Sequence, residues 1–286
     1  MIKIFPLIFI ILWSSAFITT KPIIDNSDPF SALAFRFFLV AIGFLMYAKY
    51  KKISLKLEKR ELSNSILSGV LFHGIYLGGV FYSVSLGVPT GITALIVTMQ
   101  PILTNALAGP ILNEKVGWRQ WVGVILGFSG AAIVLGFDLG DTLPSIGILA
   151  SFIALASITS ATLLQKKFGG NTPLPVSNMY QAAGGCIFHI LIVIFFAEAF
   201  INFNKTFLIA MSHQIFLVSF GAFTILMYLI KNNSASKTVT IFFLIPATTA
   251  IIAWIFLNEE LSNLDIFGFL VASFGVYLAT RKNIST

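Results

Sequence analysis

Arg36 is the permanently charged side chain that the sequence places well inside an apolar run. A charge at bilayer depth costs about 2.5–3.5 kcal/mol even on the milder insertion scales, so it is expected to face a bundle interior or a wet cavity. A guanidinium can hold a carboxylate or a phosphate through paired hydrogen bonds. Arg36 is therefore a candidate anchor for an anionic ligand. The structural alternative is that it binds helix-end carbonyls or extends toward the membrane surface.

A second set of candidates consists of amphipathic side chains inside apolar runs: Trp13, Tyr76, Tyr82, Gln100 and Gln181. Aromatic walls with a few polar tips suit small zwitterions or aromatic metabolites. For each residue the alternative is a hydrogen bond between packed helices, which is common in helical membrane proteins. Gln100 is the best of them, because the adjacent Pro101 frees a backbone carbonyl one turn earlier. Pro101 and its counterpart Pro246 are predicted helix-break or gating positions.

Two histidines also lie inside apolar runs, His73 and His189. Either could relay a proton. No acidic residue within the runs is placed to pair with them, so the sequence favours packed neutral imidazoles.

Glu114 and Glu259 occupy equivalent polar turns, each ahead of a following helix. A carboxylate near a helix N-terminus is stabilised by the exposed amides there. Both residues are therefore predicted to be structural turn residues.

The composition indicates which elements carry these residues. The chain is 57% hydrophobic and 10% charged, whereas a soluble domain is roughly 45–50% apolar and about 25% charged. This excess of apolar residues indicates an integral membrane protein, and apolar runs of about 20 residues without alternation indicate helices. The sequence predicts an all-α fold of ten transmembrane helices, at 3–21, 30–48, 64–86, 89–112, 118–136, 145–165, 175–197, 208–230, 235–257 and 264–280.

Two stretches of the chain match each other at a constant offset. Six residues have an identical residue 145 positions later: Pro101, Leu112, Asn113, Glu114, Gly123 and Gly130. A fixed offset of about half the chain indicates two structural repeats, predicted at 1–141 and 142–286. Because each repeat has an odd number of helices, the second is inverted in the membrane relative to the first. Inverted repeats around a site near the midplane are a recurrent transporter architecture.

The basic residues predict the orientation of the chain. If the N-terminus is cytoplasmic, all 18 lie in cytoplasmic segments except Lys21, Arg36 and Lys205. Basic residues are retained on the cytoplasmic side of a membrane, so both termini are predicted to be cytoplasmic. The net charge of +7 is then a consequence of topology, and no nucleic-acid partner is predicted.

Small residues form stripes on the fifth and tenth predicted helices: Gly123, Gly127 and Gly130, with Gly268, Ala272 and Gly275. Such stripes let helices approach closely. They could pack inside the bundle or against a second subunit, which leaves a homodimer open.

The sequence pattern that several of these residues form resembles that of the drug/metabolite transporter superfamily. Within it, the pattern resembles the EamA-type family of ten-span metabolite exporters. The resemblance rests on Trp13 to Phe17 with Lys21, on Pro29 with Arg36, and on the two hairpins at 101–114 and 246–259. Ser14 stands where the family usually has glycine. The resemblance covers essentially the whole chain and implies efflux of amino acids or related compounds by alternating access.

Two other functions remain open. Nucleotide-like metabolites, such as S-adenosylmethionine or sugar nucleotides, would also suit an arginine anchor. A non-transporting membrane subunit, for example a lipid-flippase partner, is the third reading, because a fold does not fix a function. An intramembrane enzyme is disfavoured, since the runs lack a Ser/His or paired-Asp constellation. The sequence thus predicts a multi-pass inner-membrane transporter of a small-molecule metabolite that contacts the lipid bilayer and has no cofactor, no metal and no enzymatic activity.

Overall fold

The computed structural model describes residues 4–88, 90–135, 143–169, 172–257 and 263–280. These residues fold almost entirely into helices, and the pairing of Ser27 with Ile201 is an isolated β-bridge. The α-helices are α1 (Phe5–Ile24), α2 (Pro29–Tyr50), α3 (Lys59–Gly69), α4 (Leu77–Ser85), α5 (Thr90–Val97), α6 (Gln100–Leu112), α7 (Trp118–Leu135), α8 (Ser145–Phe168), α9 (Leu174–Phe196), α10 (Lys205–His213), α11 (Phe223–Asn232), α12 (Ala235–Thr240), α13 (Ile245–Leu257) and α14 (Asn263–Thr280).

Eight helical stretches in the described part of the chain are long and apolar enough to cross a membrane. They coincide with eight of the ten predicted spans. The remaining two positions are occupied by α7 and α14, and the apolar part of α14, Ile266–Thr280, is shorter than a full span. The all-helical membrane fold is thus confirmed, while the count of ten spans and the side on which the termini lie stay predictions.

Two π-helical segments interrupt long helices at equivalent positions. Segment π1 (Val70–Tyr76) joins α3 to α4, and segment π2 (Gln214–Ala222) joins α10 to α11. Residues 70 and 76 correspond to 215 and 221 at the repeat offset, so the same irregularity occurs in both copies. π-helical turns are rare and occur frequently at functional sites.

A helix begins one residue before each of the two paired prolines. Their role in gating stays a prediction. Pro101 is the second residue of α6, which follows the end of α5 at Val97. Pro246 is the second residue of α13, which follows a single 3₁₀ segment, Ile241–Leu244. A proline is tolerated in the first turn of a helix because the amide there has no intrahelical partner.

The small-residue stripes face each other inside the chain, where α7 packs along α14. A Cβ added to Gly123 would lie 2.5 Å from the Gly275 carbonyl oxygen and 2.6 Å from the Ala279 nitrogen. The two helices can approach this closely only because Gly123 has no side chain. The stripes join the two repeats, so they do not provide a surface for the homodimer that the sequence left open.

Candidate functional site

A central cavity lies between α1, α2, π1 with α4, and π2 with α11. Its cavity volume is about 40 Å³. Its aromatic lining consists of Trp13, Phe17, Phe72, Tyr76, Phe81 and Phe223. Its polar lining consists of Thr20, Arg36, His73, Gln214 and Ser219. Apolar walls with a few polar groups are the lining typical of a small-molecule site.

Arg36 supplies a buried positive charge to the cavity. Helix α2 begins beside Asp28, whose carboxylate accepts a hydrogen bond from the Ser31 amide at 2.7 Å, and Arg36 lies two turns further along. The residue is 3% exposed. Its Nε donates to Ser219 Oγ at 2.9 Å, and the guanidinium lies 5.2 Å from the Phe37 ring centre.

Among the described residues, Lys21 with Asp25 is the ion pair that forms, and no carboxylate lies within ion-pair distance of Arg36. The hydrogen bonds found for Arg36 in this part of the chain use Nε alone. The N–H groups of both terminal nitrogens therefore remain available to a ligand. A buried arginine without an acidic partner is the charge expected of an anion site.

Two predicted aromatic candidates line the cavity next to Arg36. Trp13 and Tyr76 line the cavity together with Arg36. Trp13 is held in place by Phe9 and Phe242, whose ring centres lie 5.2 Å and 5.8 Å away. These rings form a rigid apolar wall with a hydroxyl and an indole as its polar tips.

The other three predicted binding candidates lie outside the cavity. Tyr82 lines a separate apolar groove with Phe30 and Gly78. The Nε2 atom of Gln100 donates to Thr162 Oγ1 at 2.9 Å. That of Gln181 donates to Gln165 Oε1 of α8 at 3.3 Å and, within α9, to Ser177 Oγ at 2.9 Å. The two glutamines thus make the interhelical contacts that were the alternative to ligand binding.

The two histidines are packed rather than paired with acids. The His73 ring lies 4.3 Å from the Phe37 ring centre and 4.4 Å from that of Phe223. His189 Nε2 lies 2.8 Å from the His73 carbonyl oxygen, and because that oxygen can only accept, Nε2 carries the proton. His73 lines the cavity, whereas His189 is not a lining residue and contacts the backbone of His73.

Glu114 makes a contact that the sequence did not reveal. Its carboxylate accepts from the Ala235 amide at 2.8 Å, from the Ser236 amide at 3.2 Å and from Ser236 Oγ at 2.7 Å. It therefore binds the N-terminus of α12 in the other repeat rather than the helix that follows it. Glu259, its predicted counterpart, lies outside the described residues.

Three residues at or near the cavity were not singled out in the sequence: His213, Gln214 and Ser219. His213 Nε2 lies 3.0 Å from Ser15 Oγ, which links α10 to α1. Gln214 and Ser219 line the cavity from π2. The available signal was the spacing of five residues between Gln214 and Ser219. This spacing places the two residues on one face of a π-helix but on different faces of an α-helix.

Apolar helices long enough to cross a membrane, packed around a buried and partly polar cavity, are the architecture of a multi-pass membrane protein. The chain belongs to the EamA-like transporter family, whose sequence model matches residues 2–136 and 145–281.

Relatives of the chain carry transporter names. An uncharacterized transporter of Bacillus subtilis, YvbV, is 25% identical over 96% of this chain and 90% of its own length. A probable amino-acid metabolite efflux pump of Salmonella typhimurium is 19% identical over 95% of this chain and 92% of its own length. A solved crystal structure of a protein aligns with a TM-score of 0.81 at 16% identity, covering 98% of this chain and 97% of that one. That last likeness supports the fold alone.

The family and the apolar helices together make this chain a multi-pass inner-membrane transporter. The names of the family and of the relatives indicate transporters rather than enzymes. The substrate does not follow from either.

Proposed function

We propose that the chain is a secondary transporter or facilitator that exports amino acids or related small metabolites through the central cavity. The observation that carries this proposal is Arg36, which is buried in the cavity wall with no acidic partner among the described residues. A substrate carboxylate would supply that partner through the two free terminal nitrogens. The aromatic wall would hold the apolar part of the substrate.

The proposed mechanism is alternating access between two inverted repeats with both termini cytoplasmic. The constant offset of 145 residues, the paired π-helical segments and the paired helix breaks at Pro101 and Pro246 support it. Two similar halves that exchange conformations convert a site open to one side into a site open to the other. The name of the Salmonella relative supports amino-acid metabolites as cargo.

Nucleotide-like metabolites are the second candidate substrates. The six aromatic side chains of the lining could stack against a base, and Arg36 could hold a phosphate. Arg36 is the permanently charged residue among the cavity-lining residues, so a substrate with several phosphates would leave most of its charge unpaired. Amino acids, with one carboxylate, fit this charge better.

The test is exchange of labelled amino acids in proteoliposomes preloaded with unlabelled compound. Exchange needs no coupling ion, so it reports on the substrate before the energetics. Wild type should exchange at least one amino acid, and Arg36→Ala should reduce that exchange at least tenfold, the effect expected when a charge-assisted hydrogen bond is lost. Arg36→Lys should fall between them, because lysine keeps the charge and loses the planar fork.

The matched control is Lys21→Ala, which removes an exposed basic residue of α1 outside the cavity. It should exchange as wild type does. If folded wild type exchanges no amino acid, the proposal is wrong in its substrate, and labelled nucleotides and S-adenosylmethionine become the next panel.

A further inference from the structure

Gln214 is a cavity residue with an unpaired buried acceptor. In the described part of the chain, eight buried side-chain atoms have no hydrogen-bond partner. Gln214 Oε1 is the one among them that belongs to a residue lining the cavity. Buried polar atoms in folded proteins are nearly always paired, so each exception calls for an explanation. At a substrate cavity, a partner that arrives with the substrate is such an explanation.

The orientation of the Gln214 amide is fixed by its neighbours on α1. Its Nε2 donates to the Ala16 carbonyl oxygen at 2.9 Å and to Thr19 Oγ1 at 2.9 Å. A carbonyl oxygen can only accept, so the atom facing Ala16 must be the nitrogen. Both N–H groups are thereby used, and Oε1 is left as an acceptor that cannot exchange places with the nitrogen.

Segment π2 brings this acceptor to the same wall as the guanidinium. Gln214 and Ser219 are five residues apart, which is one turn of the i→i+5 hydrogen-bond pattern, and both line the cavity. Ser219 in turn holds Arg36 through Nε. A carboxylate on Arg36 would therefore lie within one helical turn of the Gln214 carbonyl.

We infer that Gln214 Oε1 accepts a hydrogen bond from the amino group of the substrate, so that the site selects α-amino acids over carboxylates of the same shape that lack this group. This inference rests on the proposed function, because it takes the carboxylate to be held by Arg36. No described acidic residue lines the cavity. An ammonium group must then be recognised by a neutral oxygen and by the faces of Trp13 and Tyr76.

The size of the preference follows from the type of bond. A hydrogen bond between a neutral acceptor and an ammonium group corresponds to about tenfold or more in affinity. A carboxylate without the amine would leave Oε1 buried and unpaired, which adds to the discrimination. Wild type should therefore bind the amino acid at least about tenfold more tightly than its des-amino analogue.

The experiment measures binding and exchange for two pairs of compounds with the same body: phenylalanine with hydrocinnamate, and leucine with isocaproate. The variants are Gln214→Met, which removes the acceptor with little change in volume, and Thr19→Val as the matched control. Thr19→Val removes a contact on the donor side of the same amide and leaves the carbonyl in place. Gln214→Met should lower the affinity ratio of each pair by about tenfold, the part that comes from the hydrogen bond, and Thr19→Val should keep the wild-type ratio.

The outcomes separate the inference from the proposed function. If wild type binds both members of a pair equally well, the role of Gln214 is wrong and the transport of carboxylates stands. If Thr19→Val loses the ratio as completely as Gln214→Met, the effect comes from the contact with α1, and the inference is overturned. If folded wild type binds neither member of either pair, the proposed substrate class falls and the inference falls with it. Should Gln214→Met fail to fold, a wild-type ratio near one still overturns the inference.

Discussion

At the scale of single residues, the site is organised by Arg36 and the serine that holds it. Arg36 makes its hydrogen bond within the described residues to Ser219, a residue that comes from a different repeat. The serine does not carry charge, so it leaves the guanidinium positive while fixing its direction. We regard Ser219 as a positioning residue for the anion site.

Ser219→Ala should weaken substrate binding by about 1.5–3 kcal/mol, the usual contribution of a hydrogen bond to a charged group. The measurement is the KM for exchange of the best amino acid. In an Arg36→Ala background the same change should have almost no further effect, because the serine acts through the arginine.

Ser157→Ala is the matched control for this prediction, since Ser157 is also buried but donates to the Leu71 carbonyl oxygen. An equal rise in KM for Ser157→Ala, or additive effects of Ser219→Ala and Arg36→Ala, would show that Ser219 has only a structural role.

At the scale of elements, the irregular helical segments determine what the cavity contains. The π2 segment places Gln214 and Ser219 on one face, and the π1 segment ends at Tyr76 beside Arg36. A regular α-helix repeats every 3.6 residues, so it would turn either Gln214 or Ser219 away from the cavity. The polar part of the cavity therefore depends on two wide turns rather than on an α-helical stripe.

The Glu114 contact is the second decisive feature at this scale, since it ties the turn after α6 to the N-terminus of α12. Glu114→Ala should lower the free energy of unfolding by about 0.5–2 kcal/mol, the range for loss of an N-cap. The free energy of unfolding can be measured in mixed micelles by raising the fraction of a denaturing detergent.

Glu198→Ala removes an exposed carboxylate for which no hydrogen bond is found among the described residues, and it should leave the free energy of unfolding unchanged. Equal stability of the Glu114→Ala and Glu198→Ala proteins would mean that the contact with α12 contributes nothing to folding.

At the scale of the whole molecule, α7 packs closely along α14 and so holds two distant parts of the chain together. Gly123→Ala should destabilise the protein by about 1–3 kcal/mol, because the added methyl group meets backbone atoms of Gly275 and Ala279 that cannot move aside. The midpoint of thermal denaturation in detergent reports the change.

Gly109→Ala is the matched control for this interface. The nearest atom to its added Cβ is the Glu114 carbonyl oxygen at 3.8 Å, an ordinary contact. Alanine favours a helix over glycine by about 1 kcal/mol, but Pro110 disfavours a Cβ on the helical residue before it. The two effects oppose each other, so this variant should be about as stable as wild type. A Gly123→Ala protein with wild-type stability would contradict close packing of α7 on α14.

The sequence by itself determined the membrane class, the helical fold and the burial of Arg36. Each follows from a local property of the sequence: apolar content and run length require helices in a membrane, and the cost of a charge in hydrocarbon favours an inward-facing Arg36. The two repeats indicated by the constant offset stay a prediction. Trp13 and Tyr76 were also found in this way, because amphipathic rings inside apolar runs favour an interior face.

Only the tertiary structure decided which polar side chains share the cavity. Gln100 and Gln181 have the composition of binding residues but pair with other helices, whereas Gln214 and Ser219 reach the cavity through a π-helical turn. Glu114 lies beside α12, more than a hundred residues away in the chain. The physical reason is that the rotation of each helix, and the replacement of an α-helical by a π-helical turn, are set by packing between helices that are distant in sequence.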